Sequence, residues 1–410
     1  MPADARNRVI DTWPVRDDCL LIGGTELTRL AARVGRTPFY AYDRRRIDER
    51  IALLRRHLPN EVHLHYAIKA NPMPALVDHV TGRVDGLDVA SAGELKVALD
   101  AGADPAQISF AGPGKKDGEL AQAVAAGVLV NIESPREIHA LAEISSALEI
   151  PARVAVRVNP DFELRSSGMR MGGGAKQFGI DAEAVPAILG EIASAGLQFE
   201  GFHIFGGSQN LRADAICDAQ QKALDLAIRL AESGPVQPRV VNIGGGFGIP
   251  YFPGEAPLEL EPIGENLRLL VRRAVDALSG ARLVVELGRY IVGEAGIYVC
   301  RVVDRKISRG QVFLVTDGGL HHHLAASGNF GQVLRKNYPV AIGNKVHGAT
   351  REISSVVGPL CTPLDLLADR VDLAEAHEGD LVVVFQSGAY GFTASPHRFL
   401  DHPAPLEVLV

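Results

Sequence analysis

Six stretches of this chain end on residues able to do chemistry. YAIKAN places Lys69 at the close of an apolar run, and LDVASAGEL carries Asp88 and then Glu94. VRVNP holds Arg157 and Asn159, and GFHIF holds His203. NIGGGFGI supplies Gly244, Gly245 and Gly246, and VVELGR supplies Glu286, Gly288 and Arg289. A lysine pressed against apolar surroundings loses charge and becomes the amine of a Schiff base; the plain alternative is a surface lysine on a loop. A glycine run after a strand lets backbone N–H groups approach a phosphate. As a dinucleotide fingerprint the run fails, because Ile249 stands where the third glycine belongs and the run comes late in the chain. His203 alone reads equally as a satisfied core histidine, Glu286 as an interior carboxylate paired with an arginine, and Cys361 as an inert thiol. His321-His322-His323 invites a metal, but neighbours on a strand point to opposite faces, so no metal site is expected there.

The elements that would position these residues alternate. Strand-like runs at 62–68, 86–90, 107–111, 128–132, 153–158, 199–204, 240–243 and 283–287 are separated by Ala- and Leu-rich amphipathic stretches at 92–101, 117–126, 134–148, 182–195, 213–232 and 263–278. Eight such repeats predict a (β/α)8 barrel over residues 44–290, with a doubly wound open sheet as the alternative. Barrel sites gather at the C-terminal ends of the strands, where the residues named above fall, and the last two loops are the usual phosphate corner. From 291 to 410 the pattern becomes strands with Gly and Pro between them, predicting an all-β domain. Residues 1–43, with PFYAY at 38–42, read as a strand segment that joins it.

At 410 residues the chain is long enough for two cores. A formal charge of −7 argues against nucleic acid, and no basic amphipathic stretch suggests a membrane surface. Cys19, Cys217, Cys300 and Cys361 form no C-x-x-C pair and are expected as reduced thiols. The charged MPADARNR start lacks the apolar segment of a signal peptide, so a cytoplasmic protein is expected.

Taken in order, HYAIKAN, LDVASAGEL, VRVNP, GFHIFGGSQ, NIGGGFGIPY, VVELGR, VVGPLCTPLD and SGAYGF resemble the successive motifs of the fold-type III pyridoxal-5'-phosphate (PLP) decarboxylases, which act on ornithine, arginine or diaminopimelate. That resemblance implies a barrel like that of alanine racemase with a β-domain, and a homodimer that shares its active sites. It implies Lys69 as the Schiff-base lysine and His203 stacked on the pyridine ring. Ser208, Gly244, Gly245 and Gly246 would bind the phosphate, helped by Arg289 or Tyr390. Glu286 would keep the pyridine nitrogen protonated, the state in which the ring accepts electrons. Asp88 and Arg157 would stand beside the cofactor, and Cys361, from the partner subunit, would protonate Cα. Alanine racemase itself sets an arginine against the pyridine nitrogen, so Glu286 argues for decarboxylation over racemisation. A single-barrel, non-catalytic PLP-binding protein would leave the GPLC and GAYG motifs without purpose.

The substrate motifs depart from the best-known relatives. Thr362 follows the cysteine where an acidic residue meets a distal ammonium, and Ala325 stands where diaminopimelate decarboxylases carry an arginine. A diaminopimelate head group would then lie unpaired, a penalty large enough to change specificity. SGMRMGGGAKQFG and GPLCTPLD resemble instead a subgroup that includes a decarboxylase of glutamate tethered to an acyl carrier protein and decarboxylases of exosortase-associated clusters. The expectation is an amino-acid decarboxylase of that subgroup, with a carrier-protein partner. Free diaminopimelate or another basic amino acid is the alternative substrate.

Overall fold

The structure is a computed structural model that describes residues 8–162, 169–170, 172–330, 332 and 335–410. Part of SGMRMGGGAKQFG, at Ser167, Gly168 and Met171, therefore lies outside the described residues. The chain forms two compact units, one of residues 49–249 and 257–290, the other of residues 1–48, 250–256 and 291–410.

The first unit is a closed parallel barrel. Its strands are β1 (Val62–Ala67), β2 (Gly86–Val89), β3 (Ile108–Phe110), β4 (Leu129–Ile132), β5 (Arg153–Asn159), β6 (Gln198–Ile204), β7 (Val240–Gly245) and β8 (Arg282–Leu287). They pair in sequence order, and β8 pairs back onto β1, which excludes the open sheet. Most strand residues are buried, as expected where helices cover a parallel sheet. The intervening helices include Ala92–Asp100, Asp117–Ala126, Pro135–Leu148, Ala213–Ala231 and Glu261–Ala277, close to the predicted spans. Ser91 caps the first of these by accepting the Glu94 N–H at 3.2 Å, while the Glu94 carboxylate accepts the Ala90 N–H at 2.7 Å. The cap thus fixes an acidic side chain just beyond β2.

The second unit is mainly β. One sheet runs Val340–Ile342, Leu381–Val384, Gly296–Ser308, Gln311–Thr316, Arg351–Val357 and Leu366–Ala374. Phe39–Tyr42 pairs antiparallel with Gly296–Ser308 and parallel with Leu406–Leu409, so a segment before the barrel and the end of the chain both enter this sheet. Its core gathers Trp13, Leu20, Ile22, Leu27, Leu30, Phe39, Val299, Val383 and Phe385. Among the described residues no helix is long and apolar enough to cross a membrane.

Candidate active site

β1 ends at Ala67, and a 3-10 turn over Ile68–Ala70 carries Lys69. The Tyr66 hydroxyl donates to the Asn71 carbonyl at 2.9 Å and closes that turn. Ile68 and Ala70 are buried and Lys69 is exposed, so the desolvated lysine expected from the sequence is not what the structure shows. Nζ lies 5.6 Å from the centre of the Phe205 ring. Its charge still reaches the carboxylates of Glu94 and Glu286.

Across the barrel, three neighbouring strands contribute one buried cluster. His203 of β6 and Asn242 of β7 both bond Glu286 of β8: His203 Nε2 lies 2.9 Å from Glu286 Oε2, and Asn242 Nδ2 donates to the same oxygen at 3.0 Å. The plain alternative, an interior carboxylate paired with an arginine, is not what these two bonds show. Burial alone would push the Glu286 carboxyl up, but His203, through charge and hydrogen bond, and then Lys69 and Arg157 outweigh it. The carboxyl is held well below the usual carboxylate range, so Glu286 is an anion. His203 Nδ1 is buried and has no hydrogen-bond partner.

Asp88 lies in a second polar chain that crosses β1 to β4. Its Oδ1 accepts Ser109 Oγ–H at 2.6 Å and lies 3.2 Å from His65 Nδ1, and Asn131 Nδ2 donates to Ser109 Oγ at 3.2 Å. Asp88 Oδ2 is buried without a partner. Glu94, beside it in sequence, is raised by burial, opposed by the Ala90 N–H and by Lys69.

The glycine run is required by space as well as by backbone angle. A Cβ on Gly245 would stand 2.0 Å from the Glu286 carbonyl oxygen, and one on Gly246 would stand 2.2 Å from that of Gly207. Gly244 and Gly246 both have φ of +73°, which side chains rarely tolerate. Asn242 Oδ1 accepts the Gly244 N–H at 2.8 Å and holds the turn open. Ser208 follows β6 with its Oγ buried and unpartnered. Gly288 begins the turn after β8, where a Cβ would crowd Ala70 at 2.8 Å, and Arg289 opens the short helix Arg289–Val292.

Arg157 of β5 pairs with Glu133 at 2.9 Å and lies 5.0 Å from the Phe178 ring. Glu133 also accepts the N–H groups of Gly112 and Gly179, and Lys115 pairs with Glu137 at 3.0 Å nearby. Asn159 bonds Gly173, Gly174 and Asp181, which gives it a loop-holding role rather than an open donor. Sequence reasoning passed over His65, Ser109, Glu133 and Asn242. Each is a polar residue within or just after a mostly apolar strand, a signal that gains meaning only once strand register is known.

Cys361 and Tyr390 belong to the β-rich unit. Cys361 is exposed rather than the buried thiol of the plain reading, and Tyr390 is half-buried with φ of +53°. His321-His322-His323 does not lie on a strand; it forms a turn after Gln311–Thr316, so the argument from alternating faces does not apply. His322 Nε2 lies 2.9 Å from the Pro403 carbonyl and His323 Nε2 lies 2.8 Å from Ser387 Oγ. Among the described residues no three His, Cys, Asp or Glu are placed to hold a metal ion.

The orphaned atoms match what PLP offers. Ser208 Oγ and the N–H groups of a glycine cradle suit a phosphate monoester, an anionic Glu286 suits a protonated ring nitrogen, and an exposed lysine suits an aldehyde. The family model described as "Pyridoxal-dependent decarboxylase, pyridoxal binding domain" matches residues 44–293. The chain is 38% identical over 390 residues to the L-glutamyl-[BtrI acyl-carrier protein] decarboxylase of Niallia circulans, covering 94% of this chain and 91% of that protein. It is 33% identical over 399 residues to the diaminopimelate decarboxylase of Aquifex aeolicus, covering 96% and 91%. The structure of Helicobacter pylori diaminopimelate decarboxylase complexed with L-lysine superposes with a TM-score of 0.81 at 27% identity, covering 93% of this chain and 94% of that one. With the barrel, the cradle and the cofactor family in agreement, the chain belongs to the fold-type III PLP-dependent decarboxylases.

Proposed function

We propose that the protein decarboxylates an amino acid carried on an acyl carrier protein, a glutamyl group being the first candidate. The observation that carries this reading is that two neutral residues, Thr362 and Ala325, stand where charged partners of a free distal group would be expected. Ala325 is only 6% exposed, with no charge of its own to offer. The relative from Niallia circulans, named for a carrier-linked substrate, supports it. A tethered substrate is held partly by its arm and needs less from a distal pocket.

Bound in the barrel, PLP supplies a sink for the electron pair left behind by departing CO2. Lys69 would hold the cofactor through its amine. Ser208 and the glycine turn of Gly244, Gly245 and Gly246 would hold the phosphate, the Gly244 N–H itself being given to Asn242, with Arg289 or Tyr390 as a further donor and Gly288 giving room. Glu286, whose Oε2 meets His203 and Asn242, would keep the ring nitrogen protonated. His203 would stack on the ring, and Asp88 and Arg157 would stand beside it. Cys361, from a second copy of the chain, delivers the proton to Cα.

The test is CO2 release by the holoenzyme from free glutamate, diaminopimelate, ornithine, lysine and arginine against carrier-tethered glutamate. Turnover confined to the tethered substrate is expected. Strong turnover of free diaminopimelate would install the second reading, which the Aquifex aeolicus relative favours. Cys361→Ala should keep its cofactor and slow product formation; unchanged turnover removes Cys361 from the reaction.

A further inference from the structure

One buried carboxylate fastens two loops of the β-rich unit. Asp365 is 3% exposed. Its Oδ1 accepts the Leu320 N–H at 2.6 Å, and its Oδ2 accepts the Leu360 N–H at 2.8 Å. Leu320 opens the turn that carries the three histidines, and Leu360 immediately precedes Cys361. The backbone adds two links, from the Gly358 N–H to the Asp365 carbonyl at 3.1 Å and from the Asp365 N–H to the Thr362 carbonyl at 3.2 Å.

The carboxylate passes between two glycines that admit nothing larger. A Cβ on Gly319 would stand 2.1 Å from Oδ1, and one on Gly358 would stand 2.3 Å from Oδ2. Neither glycine has a positive φ, so space, not backbone angle, is what demands them. Burial raises the Asp365 carboxyl, and the two N–H groups and His402 only partly oppose it. An acidic group held against that penalty, with each oxygen spent on a different loop, acts as a clamp. Asparagine at the same place would keep one acceptor and release one loop.

We propose that Asp365 is a positioning residue that sets where Cys361 stands, by tying the cysteine loop to the Leu320 turn. The kinetic side of this rests on the reading of Cys361 as proton donor; the placement itself does not. The experiment uses the holoenzyme and iodoacetamide, with alkylation of each cysteine followed by peptide mass spectrometry. Asp365→Asn should change the alkylation rate of Cys361 about tenfold, as expected for loss of one bond to a charged group. Cys217, in the barrel unit, should react at its wild-type rate in the same sample. Gly319→Ala displaces the carboxylate from the opposite loop and should move Cys361 reactivity as well, without touching the cysteine loop. With the preferred substrate, both variants should lose kcat and keep KM.

If Asp365→Asn does not fold, Gly319→Ala decides alone. Wild-type Cys361 reactivity in the folded variants overturns the clamp. Altered reactivity with unchanged kcat upholds the clamp and overturns the role of Cys361 as proton donor.

Discussion

The barrel mouth and the histidine turn both bury several titratable side chains, and burial ends differently in the two. In the barrel, burial should raise Glu286, yet His203, Lys69 and Arg157 hold it ionised. In the turn, burial lowers His321 to about 4 and His322 and His323 to about 3, helped at His321 by His402 and His397 and at His322 by His321. Among the described residues no carboxylate opposes it. The barrel therefore stores charge beside atoms left without partners, namely Ser208 Oγ, His203 Nδ1 and Asp88 Oδ2. The turn stores neutral rings, two of them bonded to Pro403 and Ser387. Crowded titratable groups do not by themselves make a site; opposed charges around open donors do.

That contrast breaks first at Lys69. Lys69→Ala should abolish the visible absorption of the cofactor–lysine bond and lower CO2 release by about a thousandfold or more. Retention of a borohydride-trappable cofactor on the variant would show that another amine carries it. Next comes Glu286→Gln, which removes the anion without changing shape. Activity should fall about a hundredfold, the scale of a lost electrostatic partner. The depressed carboxyl of Glu286 contributes stability that is fully present above about pH 4.3 and is lost as pH falls toward its folded-state value. The variant should therefore show a flatter decline of melting temperature in acid. An unchanged acid profile would mean that Glu286 is not ionised in the fold.

A smaller effect is expected at Ser208. Ser208→Ala removes an oxygen that has no protein partner, so the unliganded protein should be no less stable. Cofactor affinity should fall about tenfold, one charge-assisted hydrogen bond's worth. Equal cofactor affinity in a dialysis titration would take Ser208 out of the phosphate site.

Much of the barrel was legible because buried parallel strands are apolar runs whose ends can be counted. The polar residues at those ends were legible for the same reason. Leu366–Ala374 was not foreseen, since LLADRVDLA is rich in Ala, Asp and Leu and lacks the β-branched density of its partner Arg351–Val357. The hairpins linking Val15–Arg16, Cys19–Ile22 and Thr25–Glu26 were also missed, although Asp17-Asp18 and Gly23-Gly24 all take positive φ and are turn signals of the right kind. Lys69 was expected to be desolvated because it follows a buried strand, but the 3-10 turn after Ala67 carries it out of the apolar run. Asn242 and Ser109 were beyond reach, because a side-chain bond across strands depends on register that one strand does not encode.

The weakest effect on activity should come from the turn, and it sharpens the contrast most. His321 is fully buried and neither ring nitrogen has a hydrogen-bond partner. Its folded-state pKa of about 4 lies below the ordinary value of 6.5. As pH falls below that ordinary value, the unfolded chain takes a proton that the folded chain refuses, so His321 costs stability progressively between about pH 6.5 and its folded value. His321→Leu gives up no hydrogen bond and removes that cost. The variant should keep wild-type CO2 release at neutral pH, and at pH 5 its urea midpoint should rise by the equivalent of about 2 kcal/mol relative to the difference at pH 7. Lost activity at neutral pH would place the turn in the reaction, and an unchanged pH difference would mean that His321 is protonated in the fold. Either result would erase the distinction between a barrel in which charge prevails over burial and a turn in which it does not.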